Sequence, residues 1–249
     1  MSSHLNRLLA RATAAVAAGI VLSGCSHGDA TKRDSGAART ASASSSDVSA
    51  SANGTLAAAP VTGTPRDSIS DRADHGRIAG DSTAKLWVIM ASDFQCPYCK
   101  AWHDAAFPSL MNDYVKTGKI RLAFLNMPLS IHPNAMPASE AAMCASVQNK
   151  FWPMHEALFA TQQSWETMRD PSTKFDSIAG SLGVNVPAYR TCVSKHLTVP
   201  LIQADHDRAR AAGVNSTPTF FVGNQTLTGS DANLRGAIDA ALKTTKPAR

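Results

Sequence analysis

Two thiols stand two residues apart in the run Cys96-Pro97-Tyr98-Cys99. At that spacing they can close a disulfide, open it, and pass it to another molecule. The residues before them read as a strand ending at Ser92-Asp93 and those after them as a helix. The Cys96 sulfur is therefore expected at a helix N-terminus, where unpaired amides and the helix dipole favour an anion. Its pKa should fall from about 8.5 toward the roughly 3.5 to 7 of such pairs, which makes Cys96 the nucleophile. Cys99, one turn on, is the better shielded resolving thiol, and Pro97 and Tyr98 tune the pair. Stabilising the reduced thiolate weakens the disulfide and makes it a stronger oxidant.

Other uses of two close cysteines fit less well. A structural zinc site usually takes a second such pair or nearby histidines, and Cys144 and Cys192 stand alone. Covalent c-type haem needs His after the second cysteine, where this chain has Lys100. A staple across two residues would be strained. No metal or cofactor is expected.

The elements that must position the pair are legible in outline. Lys85 to Ala91 (KLWVIMA) is a nearly continuous apolar run, as in a central strand buried on both faces. A helix is expected from Cys96 to about Lys116, with Trp102, Ala106, Leu110 and Tyr114 on one face and Gly118 closing it. Ile120 to Met127 alternates as a second strand. From about Ala135 to Gly213 the period is helical, broken near Pro153, Pro171, Pro187 and Pro200, which predicts four or five short helices. Thr219–Val222 and Gln225–Thr228, joined by Gly223-Asn224, read as a hairpin before a last amphipathic helix from Asp231 to about Lys243. The class is α/β, with an all-helical insertion at about 135–213.

Ahead of this domain, Arg7 and Arg11 precede the apolar stretch Ala12 to Leu22, too short for a comfortable bilayer span, so residues 1–24 read as a signal peptide. Leu22-Ser23-Gly24-Cys25 resembles the bacterial lipobox. That resemblance implies that Cys25 is lipidated and becomes the mature N-terminus, with the protein held at a bacterial membrane and facing the periplasm or cell exterior. Removing residues 1–24 deletes two arginines and no acids, taking the net charge from +5 to +3. Residues 25–74 are dominated by Ser, Ala, Thr, Gly and Asp and read as a flexible tether to a domain at 75–249. Basic residues are scattered without a run, which argues against nucleic acid as a partner.

Further strings sharpen the reading. Ser92 to Cys99 (SDFQCPYC), His132-Pro133-Asn134-Ala135, Lys150-Phe151-Trp152 with His155-Glu156-Ala157-Leu158-Phe159, and Gly213 to Val222 (GVNSTPTFFV) together resemble the DsbA family of bacterial disulfide oxidoreductases. The likeness implies a thioredoxin fold, a central mixed sheet flanked by helices with the helical insertion. It also makes Thr217-Pro218 the cis-proline loop facing the sulfurs, with Thr217 able to donate to the Cys96 thiolate. Implied partners are reduced or unfolded exported proteins and a membrane redox partner for recycling. Relatives commonly carry Glu six residues before the first cysteine, whereas this chain has Met90. Asp93, nearer the helix start, is expected to cap the helix instead.

Cys144 and Cys192 are expected to form a structural disulfide, with a second redox pair as the alternative. A disulfide reductase or isomerase of the same fold, and a tethered thiol metallochaperone, remain as rivals to the oxidase reading.

Overall fold

A computed structural model describes residues 68–229 and 231–244. Cys25, the expected signal peptide and the tether up to residue 67 lie outside the described residues.

Five strands form one mixed sheet: β1 Ile78–Ala79, β2 Leu86–Ser92, β3 Ile120–Asn126, β4 Thr219–Val222 and β5 Gln225–Thr228, in the order β1-β3-β2-β4-β5. The central strand β2 runs parallel to β3 and antiparallel to β4. Leu86, Val88 and Met90 are buried on one face of it and Ala91 on the other. One departure from the expected double burial is Trp87, which is 39% exposed. Its ring is covered by the Arg121 guanidinium, 4.2 Å from the ring centroid, so a cation takes the place of a packing helix there.

Helix α2, Pro97–Leu110, follows β2 across a short loop and buries Trp102, Ala106, Phe107 and Leu110, with the Trp102 ring on Phe220 of β4 and the Phe107 ring on Trp152. Proline is at home at a first helical position, where its missing N–H costs nothing. The expected single helix to Lys116 is instead an α-helix with Pro108 inside it and then a wider π-turn over Met111–Val115. Pro108 withholds one donor from the helical ladder.

The helical block contains α3 Ala135–Ser146, α4 Phe151–Ala160, a 3-10 turn Gln162–Ser164, α5 Ser172–Ser181, α6 Val186–Ser194 and α7 Val199–Ala211. Alanines at 138, 141, 142 and 145 bury the face of α3 and let its neighbours approach closely. The last helix of the block packs mainly on β3 and also meets α3. Asp205 of α7 accepts from the Asn126 N–H at 3.2 Å and side-chain amide at 2.8 Å, and pairs with Arg77.

The folded chain starts earlier than residue 75. A first helix, α1 Ile69–Gly76, occupies the end of the segment expected as tether. Ser68 caps it by accepting from the Asp71 N–H at 3.1 Å, and Ala73 is fully buried. A methyl group on Gly76 would sit 2.4 Å from the Ser146 hydroxyl, so glycine is what allows α1 to approach α3. The last helix, α8 Asp231–Thr244, covers the sheet beside β4.

Candidate active site

Cys96 is the residue immediately before α2, with extended backbone (φ −68°, ψ 125°), and no side chain caps the helix start. The first amides of the helix are thereby left to the sulfur. The Cys96 pKa is lowered to about 6, first because the Cys99 thiol donates to it. The Thr217 hydroxyl and the main-chain N–H groups of Cys99 and Tyr98 add to this, while burial opposes it. Cys99 moves the other way. Burial pushes its thiol well up, followed by the effect of Cys96 beside it, and the Asp93 N–H and Ser92 side chain offset only part of this. Two thiols in one turn are thus split into a ready nucleophile and a reluctant one.

The Thr217–Pro218 peptide is cis, and the Thr217 carbonyl accepts from the Cys96 thiol at 3.7 Å. The Thr217 hydroxyl is buried and closes no hydrogen bond while Cys96 is a thiol. It is a donor held for the thiolate. Between the cysteines Pro97 is exposed and Tyr98 is 75% exposed. Tyr98, Ala101, Trp102, Ala105, Thr217 and Pro218 line a largely apolar cavity of about 490 Å³ beside the pair. On the other side of the cis-proline loop a cavity of about 710 Å³ is walled by the Met127–Pro133 loop, His206 and Arg210 of α7, and Asn215.

Asp93 does not cap α2. Its buried carboxylate accepts from the Gln95 N–H at 2.7 Å, the Leu129 N–H at 2.9 Å and His132 Nδ1 at 2.7 Å. A charge taken out of water needs such partners. The β3–α3 loop, 36 to 39 residues away in sequence, supplies two of them. Met90 is buried in the core of β2 beside Phe124 and Phe220.

Amide side chains that the sequence does not flag tie the cysteine loop to the helical block. Gln162 donates to the carbonyls of Phe94 at 2.7 Å and Cys96 at 3.2 Å. Gln95 donates to Glu166 O at 2.8 Å and accepts from the Asn134 N–H at 2.6 Å. The Asn134 amide reaches the carbonyls of Trp165, Glu166 and Met168. Gln95 and Asn134 stand in the SDFQCPYC and HPNA strings, with no role read from them there, and Gln162 carried no sequence signal.

His155 is fully buried among Phe94, Phe107, Phe124, Phe151 and Phe159. Burial holds its pKa far below the usual imidazole range, so it is a neutral packing residue. Cys144 of α3 and Cys192 of α6 are joined by a disulfide, with Cα atoms 5.8 Å apart. Among the described residues no group of three or more His, Cys, Asp or Glu could hold a metal ion, and no helix is long and apolar enough to cross a membrane.

Comparison with known proteins gives matches over this same region. A family model described as Thioredoxin matches residues 72–240. The Na(+)/H(+) antiporter NhaA 3 of Salinispora tropica is 32% identical over 152 residues, 60% of this chain and 22% of the antiporter. Disulfide bond formation protein D of Bacillus subtilis is 22% identical over 155 residues, 60% of this chain and 68% of that protein. The chain spans about a quarter of the length of the antiporter relatives it matches. Among solved structures, oxidised BdbD from Bacillus subtilis superposes with a TM-score of 0.62 at 22% identity, covering 68% of this chain and 94% of that one.

Proposed function

This chain belongs to the thioredoxin family, and from that premise we propose that it is an exported thiol-disulfide oxidoreductase that introduces disulfides into reduced envelope or secreted proteins through Cys96 and Cys99. The observation that carries this reading is the split between the two thiols, with Cys96 at about 6 and Cys99 pushed well up, beside an exposed apolar strip.

In the oxidised protein a substrate thiolate attacks the Cys96 sulfur. The Cys96–Cys99 bond breaks, and Cys99 leaves with the electron pair and takes up a proton. A second substrate thiolate then attacks the substrate sulfur of the mixed disulfide and Cys96 leaves as its stable thiolate. The substrate loses two electrons and gains a disulfide, while the pair is reduced to the dithiol. A thiolate titrating at about 6 is roughly nine-tenths ionised at pH 7, which makes Cys96 a good leaving group at both steps. Reoxidation needs a two-electron acceptor, for which a membrane redox partner is the reading the resemblance supplies.

The lipobox-like Cys25 is the proposed anchor, holding the domain at the membrane on the outer side. Detergent-phase partitioning of the full chain from cells, lost on Cys25→Ala, tests it; equal partitioning of both forms would refute it.

The catalytic reading is tested with the oxidised protein and a reduced peptide carrying two cysteines. Stoichiometric appearance of peptide disulfide and dithiol protein is expected, together with a high reduction potential for the pair. A strongly reducing potential, with no peptide oxidation, would favour the reductase or isomerase of this fold.

A further inference from the structure

Asp93 touches both reacting cysteines through its main chain. Its carbonyl accepts from the Cys96 N–H at 3.2 Å, and its own N–H lies against the Cys99 sulfur, where it favours the thiolate. How firmly the Asp93 main chain is held should therefore bear on the chemistry of the pair. The Asp93 side chain has no solvent access, and its carboxylate is locked by three donors: two amides from the Gln95 and Leu129 main chains, and the His132 ring. The amides belong to the backbone. His132 is the one side chain in the set, and it also walls the 710 Å³ cavity beside the cis-proline loop.

We propose that His132 is a positioning residue for the redox pair: by holding the Asp93 carboxylate it fixes the main chain at Asp93, whose carbonyl and N–H are set against Cys96 and Cys99. With a methionine at position 90, in the core strand, no carboxylate from there assists the buried thiol. The Asp93 N–H is then one of the few groups that steady a Cys99 thiolate as it forms.

This inference rests on the oxidoreductase reading, yet it is measured on the pair alone. The test is the equilibrium of Cys96/Cys99 with a glutathione redox buffer, for the wild type and for His132→Ala, His132→Asn and His132→Gln. Losing the Nδ1–H donor should move the equilibrium constant about three- to tenfold toward the disulfide, the worth of one ordinary hydrogen bond. Asparagine places an amide N–H where Nδ1 stands and should restore the wild-type value; glutamine, one methylene longer, should not.

A folded His132→Ala with an equilibrium constant within about twofold of wild type would overturn the proposal. If His132→Ala does not fold, the other two variants decide: asparagine near wild type with glutamine displaced supports the positioning role, and the same value for both refutes it. A protein that oxidised no peptide at all would still show this His132 dependence, so failure here and failure of the oxidase reading are separable.

Discussion

Four buried cysteines form two pairs in this fold, and burial does not tell the pairs apart. Cys96, Cys99, Cys144 and Cys192 are all 5% exposed or less. Each pair even has a threonine hydroxyl at hand: Thr217 beside Cys96, and Thr198, whose hydroxyl donates to the Cys144 sulfur at 3.7 Å. The difference lies in what the backbone does around the sulfurs. Cys96 and Cys99 share one turn at an uncapped helix start with free amides, beside an open apolar strip. Cys144 lies well inside α3 and Cys192 inside α6, helices whose amides are already spent on their own ladders. A thiolate has main-chain amides waiting at the first pair and only the Thr198 hydroxyl at the second.

The largest expected effects separate the pairs outright. Cys96→Ser should abolish peptide oxidation, a loss of about 10³-fold or more, because the sulfur that forms the mixed disulfide is gone. Cys99→Ser has no disulfide to offer and should not oxidise the peptide, but its Cys96 thiolate should attack added glutathione disulfide, release one glutathione thiolate and accumulate as the mixed disulfide, visible by mass spectrometry of the alkylated protein. The double variant Cys144→Ala/Cys192→Ala should keep the oxidation rate within about twofold while its unfolding free energy falls by about 2 to 4 kcal/mol, as expected for a bridge spanning 48 residues. A folded double variant that had lost oxidation would break the comparison and make the second pair a redox relay.

The pH dependence sharpens it. Alkylation of reduced Cys96 should rise with a midpoint at about pH 6 and fall about tenfold from pH 7 to pH 5, with Cys99 unreactive throughout that range. The sign for stability follows from the same lowered pKa. The thiolate's contribution to the reduced protein is complete above the unfolded thiol value of about 8.5 and is lost as pH falls through 6. The reduced form should therefore become less stable as pH falls across that window, while the oxidised form, with no thiol at 96, should not follow it.

Much of the arrangement around the first pair is legible in the residues. The apolar run ending at Ser92 gave the strand, Pro97 the helix start, and Gly223-Asn224 the hairpin that pairs β5 with β4, with Gly223 at φ 56°. What escaped depends on partners distant in sequence. Ile69–Gly76 is rich in Asp, Arg and His and resembles linker by composition; it is a helix because Ala73 and Gly76 meet α3 and Arg77 reaches Asp205. Tertiary contact decides there, and no local pattern encodes it. Asp93 beside a helix start looks like a cap by the same local logic. Only the loop bearing Leu129 and His132 turns it into a buried anchor of the cysteine loop.

The smallest effect is the most discriminating. Thr217→Val removes a hydroxyl that is unpartnered in the dithiol state, so it should cost little stability there. Its loss should be felt only once Cys96 ionises: the Cys96 pKa should rise by about half to one pH unit, read from thiolate absorbance, and the pair should become a weaker oxidant by about three- to tenfold. Thr198→Val makes the same chemical change at the other pair. There the hydroxyl faces a sulfur already committed to a disulfide, so the Cys96 titration and the oxidation rate should not move, and only about 1 kcal/mol or less of stability should be lost. If both substitutions shifted the Cys96 titration equally, the hydroxyl beside Cys96 would be acting through general packing. A shift confined to Thr217→Val would locate the redox tuning of this chain in the donors that meet one sulfur at the moment it becomes an anion.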